Sequence, residues 1–524
     1  MLYDEVDLPD DDVAPPPEGR GVDDDEVEDR AVEAGEAIGQ KIGKLLETRT
    51  SKRLAAKAIN AAYICFTEVI REPIYLADAR KTPQWEKATW TEVRALEAND
   101  TYDIEKYKAR VCSKGDRQVY LIDYVENHAP VVDLVCVKIF LAFVAKFKMR
   151  RRQGDVPAAY LKATLMETVY VKQVKGFEKP GEEDKVWRLK KALYGLKQAG
   201  REWNQEIDKF LRAHGLKPTT GDACLYHMQV EGSLLLVCLY VDDILIAHRD
   251  EEHDLHLMLP LNVKYQVKDL GAPSIFLGMR ISHEQGTIRL SQETYINEML
   301  YRFAMDPTRP TYTRMIPKTK LDNLTDEPTL EEQENMRNKP YRQVVGSLLY
   351  LACVSRPDLV VAVNQLTRHC SKPRKAEWDA AKYIMRYLGQ TLNMELVLNA
   401  TEEGLRVATD ADWANDVQDR KSVSGFAAFL FGCPVHWGST KQTVVALSST
   451  TAEFIAANDG LQQAEWIQLV VGEILAGHSS PFRLTLQVDN QPAIHRIKKE
   501  GNSGAQKAVD IRFDALKDAW RTGG

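Results

Sequence analysis

The pattern of apolar and polar positions is sharpest between Leu234 and His248, where the chain reads LLLVCLYVDDILIAH. Two apolar runs rich in Val, Ile and Leu are separated only by Asp242 and Asp243. Runs of that length and composition predict buried strands, and the break between them predicts a hairpin turn. Neighbouring strand side chains point to opposite faces, a rule that a tight turn relaxes. Two carboxylates therefore sit at an exposed tip. Either this is an ordinary polar turn, or the charges are compensated by a divalent cation such as Mg²⁺, which takes one or two carboxylates plus substrate phosphates.

The same reading divides the rest of the chain. Residues 1 to about 40 are acidic, contain Pro15-Pro16-Pro17 and predict a disordered tail. Lys41 to Ile70 has helical periodicity and reads as a leader. Val135 to Phe147 predicts an apolar helix, followed by Arg150-Arg151-Arg152 as a solvated cap at its end. Asp155 stands at the start of a short strand-like piece, and Trp187 to Trp203 reads as a turn followed by a helix. Asp269 to Ile281 predicts a strand pair and Ser291 to Phe303 a helix. Pro307 to Asn338 is a polar, Pro-punctuated linker. Helices dominate Tyr341 to Leu398, with Trp378, Ala381, Met385 and Leu388 on one core-facing side.

From Arg406 the period changes again. A strand ends in Asp410-Ala411-Asp412, Gly425 to Trp437 forms a hairpin, and Ser448 to Val471 is a long helix with Glu453 in its first turns. A short strand from Leu484 ends at Asp489-Asn490, a helix follows, and Asp510 precedes Ile511-Arg512-Phe513. Strand ends and helices thus offer four carboxylates in one αβ block, an arrangement that could collect them around two metals. Each acid alone is equally an ordinary structural residue.

Composition changes this picture little. The chain has 524 residues, room for several domains, and 44% hydrophobic and 28% charged residues suit a soluble globular protein. No apolar run reaches the roughly 18 residues needed to span a bilayer. The acidic N-terminus is neither a signal nor a transit peptide. Eight cysteines occur without any Cys-x-x-Cys spacing, which argues against structural zinc and disulfides and for a reducing compartment. His248, His253 and His256 raise the question of zinc, but no fourth ligand stands nearby. Residues 1–36 hold 15 acids and two Arg, a net of −13 against −7 for the whole chain, so the remainder carries +6. A mildly basic body fits a nucleic-acid partner.

One further stretch bears on chemistry. Cations that include Arg110 and Lys114 precede Gly115 on a predicted strand and turn. They could cradle a triphosphate or form a solvated strand edge.

From about Glu72 to Arg521, the chain resembles the reverse transcriptase and RNase H region of copia-type retrotransposon Pol polyproteins. The resemblance rests on KYKARVCSKG, DYVENHAPVV, ALYGLKQAGREW, LYVDDILIAH, VVGSLLYLACVSRPDL, DADWANDVQDRKSVSG, ALSSTTAEF, VDNQPAI and DIRF, all in family order. It implies an α+β fold: a right-hand polymerase of palm, fingers and thumb followed by an RNase H-like α/β domain. Residues 72–305 would be fingers and palm, 306–400 linker and helical thumb or connection, and 401–524 the RNase H-like domain.

The resemblance also implies roles. Asp155, Asp242 and Asp243 match the polymerase carboxylates, with Asp155 and Asp242 the main metal ligands. Tyr160 matches the ring that discriminates against a ribose 2′-hydroxyl, and Gln198 the amide against nucleotide and template. Arg110 resembles the cation that grips the triphosphate, and Lys114 stays a nucleotide-binding candidate from the cation cluster alone. Asp410, Glu453, Asp489 and Asp510 match the RNase H tetrad, beside the decoy Asp412. The implied cofactor is Mg²⁺, two per active site, or Mn²⁺. The implied partners are an RNA template, a DNA primer, an RNA–DNA hybrid and deoxynucleoside triphosphates, with no membrane, in the cytoplasm, in virus-like particles or in the nucleus.

The sequence departs from the family in places. Only four residues separate Tyr102 from Tyr107 where the family carries a longer fingers segment. Pro157 and Gly200 replace the usual Lys and Pro, and Ala508 and Asp514 stand where His is usual. Two main readings follow: an RNA-directed DNA polymerase with RNase H activity, or a catalytically inactive relic that keeps nucleic-acid binding. A third, a cellular RNase H with an unrelated leader, does not account for LYVDDILIAH.

Overall fold

The computed structural model of the chain describes residues 111–174, 178–230, 232–249, 251–305, 310–315, 321, 328–416, 418–476, 483–498 and 516, without the side chains of 251–255 and 496. Arg110 and Asp510 lie outside the described residues.

Helix α1 (Leu134–Phe147) begins where the Asp133 side chain accepts the Val135 N–H and ends at Lys148 in the left-handed region. It is apolar around nearly its whole circumference and therefore buried on nearly all sides. Strand β1 (Arg150–Asp155) follows at once. The arginine triplet is therefore not a helix cap but the first half of a strand. Its side chains are engaged there: Arg151 Nη1 lies 2.6 Å from His283 Nδ1, and Arg152 pairs with Asp269. Asp155 consequently ends a strand rather than starting one.

A single turn of helix, α2 (Ala159–Lys162), and a small hairpin of β2 (Tyr170–Lys172) and β3 (Val186–Arg188) lead to helix α3 (Ala199–Ala213). Strands β4 (Lys217–Pro218), β5 (Leu225–Val230), β6 (Ser233–Tyr240) and β7 (Asp243–His248) complete the expected hairpin and its neighbours. Helix α4 (Glu251–Tyr265) and β8 (Lys268–Gly271) close this part. The strands form one antiparallel sheet in the order β4-β5-β6-β7-β1-β8. Strand β6 is buried along almost its entire length, as a continuous apolar run in a covered sheet requires.

The pair expected over 269–281 is formed by its second half, where Ile275–Phe276 pairs with the strand starting at Met279, while β8 pairs with β1 instead. Strands β9 (Ile275–Phe276), β10 (Met279–Glu284) and β11 (Thr287–Ser291) belong to a second sheet, joined at its far edge by β12 (Leu396–Leu398). Between β11 and β12 run helices α5 (Glu293–Arg302), α6 (Leu330–Arg337), α7 (Tyr341–Val354), α8 (Val360–Thr367) and α9 (Lys375–Gln390). Helix α6 falls inside the stretch read as linker. Its start is a capping box in which Thr329 and Glu332 satisfy each other's backbone N–H groups. Ala381, Met385 and Leu388 lie buried in the apolar core of these helices, with Trp378 packed against it.

The C-terminal unit has four strands in the order β15-β14-β13-β16: β13 (Leu405–Ala411), β14 (Val423–Leu430), β15 (Cys433–Lys441) and β16 (Leu484–Val488). The first three form an antiparallel meander, and β16 lies parallel to β13 after a crossover through α10 (Ser449–Ile474). Ser448 caps α10 by accepting the Thr451 N–H. Helix α11 (Gln491–Lys498) follows β16.

One continuous apolar core joins the first and last units. Phe143 of α1 meets Phe431 edge-on at 5.4 Å, and the Trp437 indole donates to the Ala352 carbonyl at 2.7 Å. Among the described residues no helix is long and apolar enough to cross a membrane.

Candidate functional site

Two groups of carboxylates stand at strand ends. The first is at the tip of the β6–β7 hairpin. Tyr240 pairs with Asp243, leaving Val241 and Asp242 as the two-residue turn. Val241 adopts φ 51°, a left-handed conformation unusual for a β-branched residue. Two hydrogen bonds hold the turn there. The Trp203 indole N–H, from α3, donates to the Val241 carbonyl at 2.6 Å, and the Val156 N–H donates to the Asp242 carbonyl at 2.8 Å.

The register of β1 on β7 sets Asp155 directly opposite Asp243. Residues so paired share a face and have Cβ atoms about 4.5–5.5 Å apart. Burial pushes the Asp243 carboxyl up to about 6, and the charges of Asp242 and Asp155 add to the rise. The Gln153 amide opposes it by donating to Asp243 Oδ1 at 3.2 Å. On the other side of β1, Lys268 faces Asp155 in register, with Nζ 4.0 Å from Oδ2. The sheet thus gathers Asp155, Asp242 and Asp243 at one end. Their ligand atoms are not all within 4.8 Å of one another.

The residues expected to meet a nucleotide stand on neighbouring segments of the same unit. Tyr160 of α2 is half-buried, with its ring 4.9 Å from that of Tyr194. Lys114 is exposed, on a segment whose Ser113 N–H donates to the Tyr194 carbonyl at 2.7 Å. Residues 111–114 form no strand, contrary to the strand-and-turn reading. Gln198 is wholly buried. Its amide donates to the Asp123 carbonyl at 2.8 Å and accepts from Gln118 at 2.9 Å. As placed, Gln198 ties down the 115–124 loop instead of facing a nucleotide.

Sequence reasoning missed Gln153, Trp203, Val241 and Lys268. Gln153 had a signal, since it lies two residues before Asp155 and so on the same strand face. Trp203 and Lys268 reach the tip only through the fold.

The second group is tighter. Asp410, Glu453 and Asp489 present ligand atoms all within 4.8 Å of one another. The parallel register pairs Thr409 with Val488. Asp410 and Asp489 are therefore each the next residue along, at the same ends of adjacent strands. Glu453 reaches them from the second turn of α10. Burial pushes its carboxyl up to about 7, with Asp489 and Asp410 adding to the rise and a hydrogen bond from the Ala411 backbone opposing it. Glu453 Oε2 is buried without a hydrogen-bond partner. A buried carboxylate oxygen left over beside two exposed carboxylates suits an oxygen-seeking divalent cation. Asp412 is excluded from the group because its Oδ1 accepts the Val423 N–H and so closes β14 against the end of β13.

Among the described residues no other three of His, Cys, Asp and Glu come this close. Zinc at His248, His253 and His256 gains no support: His248 is buried, and the side chain of His253 lies outside the described residues.

Known proteins match along most of the chain. The family described as reverse transcriptase (RNA-dependent DNA polymerase) matches residues 80–317. The chain is 34% identical over 435 residues to the retrovirus-related Pol polyprotein from transposon TNT 1-94 of Nicotiana tabacum, covering 82% of this chain and 32% of that protein. It is 33% identical over 482 residues to the corresponding polyprotein from transposon RE2 of Arabidopsis thaliana, covering 86% of this chain and 32% of that protein. A putative transposon Ty5-1 protein of Saccharomyces cerevisiae is 32% identical over 312 residues, covering 59% of this chain and 99% of that protein. The chain spans about a third of the length of the two plant polyproteins.

Proposed function

Because the chain belongs to the reverse transcriptase family of copia-type retrotransposon Pol polyproteins, we propose that it is an RNA-directed DNA polymerase with a second, RNase H site. The observation that carries the polymerase reading is the strand register that sets Asp155 opposite Asp243 with Asp242 at the adjoining tip. In this reading the six-stranded sheet is the palm, helices α6–α9 are thumb and connection, and β13 to α11 form the RNase H-like domain.

Asp155 and Asp242 would hold the divalent cations, Mg²⁺ or Mn²⁺, with Asp243 subsidiary. Such cations lower the pKa of a primer 3′-hydroxyl and neutralise the pyrophosphate that leaves. The chain's own residues do the positioning. Trp203 and Val156 fix the hairpin tip by its carbonyls, and Gln153 fixes the Asp243 carboxylate. The Tyr160 ring, braced by Tyr194, is the steric block to a ribose 2′-hydroxyl. Lys114 and Arg110 supply positive charge for a triphosphate.

At the second site Asp410, Glu453 and Asp489 supply three oxygen donors, two of them open to solvent and to an incoming backbone. The substrate is an RNA–DNA hybrid, chosen by its 2′-hydroxyls and shape. Asp510 completes the acidic set by sequence.

Primer extension on a poly(rA) template with an oligo(dT) primer tests the first site. Extension by the wild type that vanishes in Asp242→Asn supports it. Well-folded protein that binds template–primer but never extends it would leave the inactive-relic reading standing.

A further inference from the structure

Two loops rise beside Asp410, Glu453 and Asp489, and each exposes large apolar side chains among polar ones (Asn415, Gln418, Arg420 and Thr443). One follows β13 and carries Trp413. The other joins β15 to α10 and carries Val444, Val445 and Leu447. The loops are fixed to each other, since the Trp413 indole N–H donates to the Ala446 carbonyl at 3.1 Å. Ala446 is buried with Ala452 and Ile455 against Ala411, among the chain neighbours of Asp410 and Glu453. Yet Trp413 remains 53% exposed, Val444 47%, Val445 49% and Leu447 90%. A cluster of apolar side chains held outward on anchored loops marks a contact surface.

Charge narrows what that surface can hold. The nearby cations Lys441 and Lys421 are paired with Asp416 and Asp419 on the loop that follows Trp413. The acids of the site repel a polyanion. Arg420 is an exposed cation on that loop, and the other exposed side chains of the two loops offer uncharged contacts.

We infer that Trp413, Val444, Val445 and Leu447 form a rim on which an RNA–DNA hybrid lies by its sugar and base faces, beside the carboxylates. The inference rests on the RNase H reading of that site. An A-like duplex offers a wide, shallow minor groove in which sugars and base edges are accessible. A flat indole and branched aliphatic side chains complement such a surface, and an indole also stacks on any base that opens.

The test uses the full chain. Trp413→Ala and Leu447→Ser should each raise KM for hybrid cleavage about tenfold with kcat little changed, as loss of uniform binding requires. Trp413→Phe should restore most of the loss. The salt dependence of KM should keep its slope, because no phosphate contact is removed. Photo-crosslinking of a hybrid carrying 5-iodouridine should label the Trp413 loop or the 443–447 loop. Unchanged KM in both variants together with crosslinks only elsewhere overturns the inference. Loss of self-association in the variants with hybrid cleavage intact would overturn it in favour of a protein contact. If the wild type never cleaves but the crosslink forms at these loops, the rim stands and the nuclease reading falls.

Discussion

The indole N–H of Trp203 donates to the carbonyl of Val241, the β-branched residue held at φ 51° next to Asp242. A left-handed valine costs about 1–2 kcal/mol, so the turn needs partners that hold it. Trp203 is buried and braced edge-on by Tyr265 at 5.4 Å, which makes it a rigid donor. Trp203→Phe keeps a ring in place but removes the N–H, at a cost of about 1–3 kcal/mol for the unpaired carbonyl. Primer extension should fall about tenfold or more while hybrid cleavage is little changed. Equal extension rates in the two proteins would show that the indole does not position the tip.

Asp410 and Asp412 separate by the same kind of argument. Asp410 points into the carboxylate group, whereas Asp412 accepts the Val423 N–H. Asp410→Asn should abolish hybrid cleavage at unchanged stability. Asp412→Ala should retain cleavage and lose about 1.5–3 kcal/mol of stability, the worth of a hydrogen bond to a charged acceptor. Denaturation curves and a cleavage assay on both variants check this. The opposite assignment of losses would move the nuclease site to Asp412.

Gly460 sets how closely α10 approaches β13. A Cβ built there would lie 2.3 Å from Thr409 Cγ2, one residue before Asp410. Ala is normally better than Gly inside a helix by about 1 kcal/mol. Here the clash should reverse the sign, pushing the helix and Glu453 away from Asp410. Gly460→Ala should therefore destabilise the protein and lower hybrid cleavage, with primer extension spared. A stabilised and fully active variant would mean that the interface yields without moving the acids.

Much of this architecture was legible because it is written in local periodicity. The Leu234–His248 run specified both strands, with the turn falling on Val241-Asp242 instead of Asp242-Asp243, and Asp410 and Asp489 fell at strand ends as the pattern implied. The arginine triplet was misread because three cations suggest solvent, whereas their partners Asp269 and His283 come from distant segments. The strand pair read over 269–281 exists as β9 and β10, whereas the residues at its start, 268–271, pair with β1 through tertiary contacts that local pattern does not show. The helix at 330–337 was hidden by prolines, although Thr329 and Glu332 spell a capping box. Gln198 carried a motif's promise of nucleotide contact, yet burial and two hydrogen bonds commit its amide to the 115–124 loop.

Lys138 of α1 is buried where three units meet. Its Nζ donates to the Cys353 carbonyl of α7 at 2.9 Å and lies 3.6 Å from the Trp437 ring centroid of β15. Burial pulls its ammonium down to about 7, opposed by the neighbouring Cys353 and by Asp133. The sign of the stability effect follows. Between about 7 and the ordinary lysine value, the unfolded chain binds a proton that the folded chain does not. Stability from this group is then fully present above the unfolded pKa and is lost as pH falls toward 7. The slope is about 1.4 kcal/mol per pH unit in that window. Lys138→Met fits the same stem without the charge. The stability of the wild type relative to Lys138→Met should therefore rise with pH from 7.5 to 9, measured by denaturant unfolding at each pH. A difference that stays flat would mean the ammonium remains charged, held by the Trp437 face and the Cys353 carbonyl strongly enough to offset its burial.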